Sequence, residues 1–359
     1  MRKSLIYLAV GALALTACTS EDVVNNVGTS SRNAIKFNNV VNKHSRGTDI
    51  TTDGLNQFQV FGFYTMPGNA QHAHQVFDNT TVKKVGTIWD YASEGIGERY
   101  WIPGAHYYFY AYSCDNKAIS DAIVSDIKYV LDMDGEKDAS SRVLEIQDYV
   151  CDDTHQHDLI FASNADGIVG KETGNQDVAL EFSHILSKVR ASFTTKFPSE
   201  YEIEISDITI QDIRNKGNYD PINKWHAVAG KTNLTILGDD NSIMVKNALD
   251  GEKQMSTTTD QFYVIPNGKD DPAEGVTVAL KFTIDVYIGQ DRTEKVMSKT
   301  LVGEFTPNWQ DGYQYVYNVD INGNTTNMQV ISFTTSVNEF GTPETSEEIK
   351  EFEVTNNAI

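Results

Sequence analysis

Two pairs of histidines have the spacing of metal ligands. His155 and His157 lie in an acidic segment, residues 151–158, and His72 and His74 repeat the spacing earlier in the chain. Residues two apart share one face of a β-strand, so both imidazoles of a pair could reach one ion. Both segments are polar and loop-like, however, and polar connections explain them more simply than metal sites do. We therefore predict no bound metal.

Sequence signatures of enzymes are weak. Residues 95–100 begin like a dinucleotide-binding loop, but Tyr100 replaces the third glycine and no βαβ pattern surrounds it. The sequence has neither a G-x-S-x-G elbow nor a P-loop, and its carboxylates are too numerous for one acid–base pair to stand out. We therefore predict that the protein is not an enzyme and uses no cofactor.

An aromatic run, residues 107–112, could stack against sugar rings, with Trp89, Tyr91, Tyr100 and Trp101 upstream. Aromatic side chains also favour strands, where they alternate between the core and a half-exposed sheet face. We prefer the second interpretation. A surface lipoprotein that binds glycans and never polymerises is kept as the alternative function.

The amino terminus has the pattern of an exported lipoprotein. Arg2 and Lys3 precede an apolar run, residues 5–15, and a small-residue pair then leads to Cys18. This order resembles a signal peptide, residues 1–17, ending in a bacterial lipobox, so Cys18 would become the lipidated first residue. The run is shorter than the ~20 residues that span a bilayer. The alternative is an ordinary signal peptide with an incidental cysteine.

Composition constrains what the exported chain can bind. The formal net charge is −21, which argues against nucleic acid because duplex binding needs Lys and Arg at the phosphates. The same charge opposes adhesion to anionic lipid, so we expect lipid on Cys18 to anchor the precursor. Residues 18–33 are polar, which predicts a short flexible stalk. Cys114 and Cys151 either form one disulfide or remain two buried thiols.

Beyond the stalk the dominant pattern is period-2 alternation, which is typical of half-buried strands. Residues 276–286 are the longest example, with every second residue apolar. Asp-Gly and Asn-Gly pairs recur along the chain and allow the positive φ of tight hairpins. These patterns predict an all-β protein built as β-sandwiches. The glycine-rich loop at residues 164–176 predicts two domains, residues 34–174 and residues 175–359.

The order and spacing of several segments resemble one family. The segments are the lipobox and residues 34–37, 58–63, 101, 108–112, 158–162, 178–189, 303–312 and 331–340. Together they resemble the fimbrillins of Bacteroidales-type (type V) pili, the Mfa-like fimbrial subunits. The resemblance implies two transthyretin-like β-sandwich domains in an outer membrane lipoprotein precursor that becomes a structural or accessory subunit of a cell-surface fimbria and serves adhesion.

The resemblance also implies assembly by strand exchange. An arginine-specific protease releases the first strand, and a strand from another fimbrial subunit fills its place in a homo- or hetero-polymer. In this sequence Ile35, Phe37 and then Val40 or Val41 could fill the groove of the precursor. Removal of such a strand would expose backbone groups and an apolar cleft, which is the chemistry of β-augmentation.

Arg46 and Gly47 lie in a polar loop after that strand, where a protease could cut. Arg32 precedes the strand, so cutting there would not release it. The alternative for Arg46 is an ordinary solvated arginine.

The donor strand is expected in the tail, residues 341–359. Ile349, Phe352 and Val354 are its apolar residues, and Phe352 and Val354 alternate on one face. The alternative is a frayed tail that donates nothing, which would suit a subunit at the tip.

Overall fold

The computed structural model describes residues 33–41, 50–131, 142–245, 257–266, 277–289, 291–321, 333–339 and 350–352. The predicted signal peptide and nearly all of the predicted stalk lie outside these ranges. So do five residues of the predicted sites: Cys18, Arg46, Gly47, Ile349 and Val354.

Strands are the dominant secondary structure of the described chain, which confirms the prediction of an all-β protein. In chain order the strands are β1 (Phe37–Val41), β2 (Gln57–Met66), β3 (Asn69–Val85), β4 (Ile88–Asp90), β5 (His106–Cys114), β6 (Asp126–Leu131), β7 (Arg142–Val150), β8 (Leu159–Val169), β9 (Val178–His184), β10 (Ser187–Thr195), β11 (Tyr201–Ile213), β12 (Lys216–Asp220), β13 (Lys224–Ala229), β14 (Thr232–Val245), β15 (Thr257–Thr258), β16 (Phe262–Val264), β17 (Val278–Ile288), β18 (Glu294–Phe305), β19 (Tyr313–Ile321), β20 (Phe333–Glu339) and β21 (Lys350–Phe352). Within the described ranges the one helical element is a 3-10 turn, Ala92–Glu94.

Strand β17 shows how the alternation produces this fold. Its apolar face is buried, and from Lys281 onward each intervening residue is half-exposed. The buried residues are Val278, Leu280, Phe282, Ile284 and Val286. This is the face that the alternation predicts, because a strand with one side on a core needs an apolar residue at every second position.

A seven-stranded sheet holds the first strand of the described chain. Its order is β1-β9-β8-β5-β2-β3-β4. Strand β1 pairs with β9 in parallel, whereas the other neighbours in the sheet are antiparallel. One face of this sheet packs into a core around Phe58, Phe77 and Phe109. We call this the first core.

A four-stranded sheet, β13-β12-β7-β6, contributes to a second core on the opposite face. In this core Phe161 of β8 contacts Tyr219 of β12 with ring centroids 5.3 Å apart. Strands β9 and β12 follow the predicted boundary at residue 174, yet they hydrogen-bond to β8 and β7, which precede it. The division into two domains, residues 34–174 and 175–359, therefore stays a prediction.

Two further sheets enclose a third core. One has the order β15-β10-β19-β20-β21, with β16 also paired to β10, and the other has the order β14-β11-β17-β18. Buried rings between them include Phe193 and Phe282, whose centroids lie 5.2 Å apart. Two sheets face to face over an apolar core form a β-sandwich arrangement. In the part of the chain that the structure describes, no helix has the length and hydropathy of a membrane span.

Candidate strand-exchange site

Among the described strands, β1 is an edge strand with one hydrogen-bonded neighbour, β9. It is the terminal strand of the seven-stranded sheet, and its register on β9 runs from Phe37 opposite Val178 to Val41 opposite Phe182. The Val178 amide donates to the Lys36 carbonyl over 2.7 Å just before the strand begins. An edge strand can leave a sheet without breaking any other ladder, because only one side of it is paired.

The side chain of Phe37 fills the first core. It is 4% exposed, and its ring contacts four other aromatic rings with centroid separations of 5.4–6.0 Å. These rings belong to Phe58, Phe77, Tyr91 and Phe109. Edge-to-face contacts of this kind add to the free energy of burial. Phe37 therefore holds β1 onto the sheet.

The backbone around Ile35 is fixed by a loop that precedes β5. The Ile35 amide donates to the Arg99 carbonyl over 2.7 Å, and the Ile35 carbonyl accepts from the Tyr91 hydroxyl over 2.8 Å. Burial raises the pKa of Tyr91 to about 12, so the hydroxyl keeps its proton and donates. Ile35 itself is buried in the first core. The structure thus brings the predicted residues Ile35 and Phe37 together in one apolar core.

Asn39 is a polar exception on the core side of β1. Alternation places it on the same side as Phe37, and its register partner Leu180 is buried in the first core. Its amide nitrogen, Nδ2, is buried and has no hydrogen-bond partner. An unsatisfied buried donor costs about 1–3 kcal/mol. The backbone of Val40 and Val41 continues the strand opposite Glu181 and Phe182.

The chain is anchored again at Ile50, a few residues after the predicted processing site. The Ile50 amide donates to Asp158 Oδ2 over 2.6 Å, and the other oxygen of this carboxylate lies 2.8 Å from His184 Nδ1. Asp158 and His184 are both buried, and the Ile50 side chain packs in the first core. Charge-assisted hydrogen bonds in a dry setting are strong. The fold after residue 50 therefore has attachments of its own, independent of β1.

The described part of the tail, β21, lies at the edge of the sheet that contains β19 and β20. Phe352 is in register with Phe333 of β20, and Lys350 with Thr335. This segment is thus a strand paired within its own chain. Its use as a donor would require these pairings to break.

The other sequence-based candidates do not form a common site. His155 Nδ1 lies 2.8 Å from Asp152, and His157 Nδ1 lies 2.7 Å from Asp115, so the two histidines have separate acidic partners. His72 and His74 are exposed on β3. No described group of three ligand-type side chains includes any of these histidines.

One cluster that sequence reasoning missed joins β7, β12 and β13. Ligand-type atoms of Glu145, Asp220 and His226 lie within 4.8 Å of one another. Backbone amides of Ile222 and Asn223 already donate to Asp220, both over 2.7 Å, and His226 Nε2 lies 3.3 Å from Glu145. Hydrogen bonds therefore account for the buried carboxylates. No local spacing signals this cluster, because Glu145 is far from the other two residues in sequence.

The aromatic run does not form an exposed platform. Tyr107 and Phe109 belong to the first core and Tyr110 and Tyr112 to the second, so the run alternates between the two faces of the seven-stranded sheet. Only Tyr108 is half-exposed, and it stacks on a neighbouring ring. The run thus supports the sheet interior and does not itself form a sugar-stacking surface.

The cysteines of the fold are free thiols. Cys114 and Cys151 are both buried in the second core, which is the second of the two predicted alternatives. Burial raises the pKa of Cys114 to about 12, so its thiol stays protonated and unreactive.

Comparison with known proteins identifies the family of the chain. A family model described as fimbrillin-like matches residues 45–338. The chain belongs to the fimbrillin-like family. This confirms the resemblance drawn from the sequence, and it makes the protein a fimbrial or adhesin-like subunit. No curated protein matches the chain.

Two solved structures align with most of the fimbrillin-like chain. A cell adhesion protein from Bacteroides ovatus is 14% identical, with 87% of this chain and 99% of that chain covered and a TM-score of 0.42. A cell adhesion protein from Parabacteroides distasonis is 13% identical, with 86% and 96% covered and a TM-score of 0.42. At these values the family match, and not either structure, identifies the protein.

Proposed function

We propose that this fimbrillin-like protein is a structural or accessory subunit of a cell-surface fimbria that polymerises by strand exchange and serves adhesion. It is exported as a lipoprotein through Cys18, and an arginine-specific protease cuts it between Arg46 and Gly47. The observation that supports this most strongly is the arrangement of β1, an edge strand whose Phe37 side chain fills a core together with Ile35 just before it.

The hydrogen bonds of β1 explain why its loss would prepare the subunit for a partner. Departure of β1 and the residues before it breaks the hydrogen bond from the Val178 amide to Lys36 and the bond from the Ile35 amide to the Arg99 carbonyl. It also exposes the pocket that Ile35 and Phe37 fill, and burying two such side chains contributes about 3–6 kcal/mol. A sheet edge with unpaired groups beside an apolar groove recruits an extended strand.

The anchor at Ile50 explains why a cut after Arg46 would release β1 alone. Residues up to 46 leave with the strand, whereas Ile50 remains bound to Asp158 and packed in the first core. The retained chain therefore begins a few residues before a fixed point of the fold. The tail of another subunit, with Ile349, Phe352 and Val354 as its apolar residues, then occupies the groove.

Limited proteolysis of the purified precursor tests this proposal. We expect an arginine-specific protease to generate Gly47 as a new amino terminus and to convert monomers into SDS-resistant oligomers. Arg46→Ala should block both changes, because Arg46 is the one arginine in the sequence between β1 and Ile50.

Arg32→Ala is the matched control and should behave like the natural sequence, since Arg32 precedes β1. A chain that is fully cut at Arg46 and stays monomeric would contradict assembly by strand exchange. Unchanged assembly of Arg46→Ala would remove this arginine from the mechanism.

A further inference from the structure

The buried amide of Asn39 makes β1 an imperfect occupant of its own groove. On β9 the residues that face the first core are Val178, Leu180 and Phe182, all apolar and all buried. Opposite this column, β1 presents Phe37 first and then Asn39. The groove is therefore apolar along its length, and the strand that fills it is polar at the position opposite Leu180.

The energetic consequence follows from the missing hydrogen bond. Nδ2 of Asn39 has no partner while β1 is docked, and water would supply one as soon as β1 leaves. The unpaired donor therefore weakens docking without affecting the undocked strand. A penalty of this kind corresponds to about a ten- to hundredfold lower docking equilibrium constant.

The tail offers a better fit at the same position. When Phe352 takes the place of Phe37, Val354 takes the place of Asn39, and Glu353 takes the exposed place of Asn38. Within residues 352–354, both apolar side chains then enter the core and Glu353 points away from it, whereas Lys350 takes the place of the buried Ile35.

We propose that Asn39 is a weak point that favours exchange, and that the groove selects a donor with an apolar residue opposite Leu180, as the tail of a second copy supplies with Val354. This inference rests on the proposed function for its biological role, but the weak docking of β1 is a property of the precursor alone.

Hydrogen exchange on the intact, uncleaved chain tests the weak point. Asn39→Leu replaces the amide with an apolar side chain of similar shape, and it should increase protection of the Val178 amide about ten- to hundredfold. Asn38→Leu makes the same change on the exposed side of the same strand and should leave this protection unchanged. Equal protection of the two variants would overturn the inference.

Assembly of cleaved chains tests donor selection. Cleaved Asn39→Leu should retain its excised strand longer than the natural sequence, as followed by mass spectrometry. Val354→Asn should slow oligomer formation about ten- to hundredfold, whereas Glu353→Asn should not. Equal slowing by both tail variants would overturn the role of Val354.

The two measurements separate this inference from the proposed function. If Asn39→Leu gains protection but no cleaved chain assembles, then strand exchange fails as the function while the weak point in β1 stands, and Val354 is not a donor residue. If cleaved chains assemble but Asn39→Leu gains no protection, then strand exchange stands and Asn39 has no part in it.

Discussion

Truncation of Phe37 should loosen β1 selectively. Phe37→Ala removes a ring that is 4% exposed and contacts four aromatic neighbours in the first core. Phe→Ala changes in cores cost about 3–5 kcal/mol. If β1 can detach while the rest of the fold persists, then the substitution lowers the free energy of β1 docking and not only the free energy of global unfolding.

The magnitude can be expressed as a change in the population of the detached state. Because about 1.4 kcal/mol is a tenfold change, 3–5 kcal/mol corresponds to about 100- to 5,000-fold. Native-state hydrogen exchange should show this loss of protection at the Val178 amide, which bonds to the Lys36 carbonyl. The amides that join β5 and β8 should lose much less, because their ladder does not involve β1.

A matched variant in the third core provides the control. Phe193→Ala also removes a fully buried ring, whose centroid lies 5.2 Å from that of Phe282. It should lower global stability by a similar amount without exposing the Val178 amide selectively. If Phe37→Ala lowers protection equally at β1–β9 and β5–β8, then β1 belongs to one cooperative unit with the sheet. The removable strand would then be refuted.

Two further substitutions test how buried groups set stability. Burial lowers the pKa of Lys188 from 10.5 to about 7, so the unfolded chain holds a proton that the native chain lacks between these values. The free energy of unfolding should therefore rise with pH above 7 by up to about 1.4 kcal/mol per pH unit. Lys188→Met should remove this slope in urea unfolding between pH 7 and 9. Equal slopes in the variant and the natural sequence would contradict the assignment to Lys188. In thermal unfolding, Gly62→Ala should lower the stability of the protein by about 1–3 kcal/mol, because the new Cβ would lie 3.0 Å from the rings of Phe77 and Phe109. Gly238→Ala, whose Cβ would meet nothing closer than 3.9 Å, should be nearly neutral in the same thermal unfolding assay.

Parts of the candidate site could be predicted from local pattern and family resemblance. Ile35 and Phe37 were expected to fill a core, and both are buried in one. The sequence did not indicate that β1 runs parallel to β9, or that Asn39 has a buried amide nitrogen without a partner. Both depend on which strand lies beside β1, and that strand is far along the chain.

Local sequence pattern also did not predict which core or which partner each aromatic or histidine side chain contacts. The aromatic run from Tyr107 to Tyr112 predicts a strand equally well whether its second face is open or covered. The structure covers it with a core to which β7, β12 and β13 contribute residues. Likewise His155 and His157 share the spacing of ligands, but each has a different acidic partner, Asp152 and Asp115 respectively.

Alternation along the chain determined by itself that this protein is built of strands, since a period of two follows from the pleat of each strand alone. Only the tertiary structure decided the order of the strands, the burial of the aromatic run and the mismatch at Asn39. The physical reason is the distance along the sequence between the residues that interact. Side-chain direction is set by neighbours in sequence, whereas burial and hydrogen bonding are set by segments that meet only when the chain has folded.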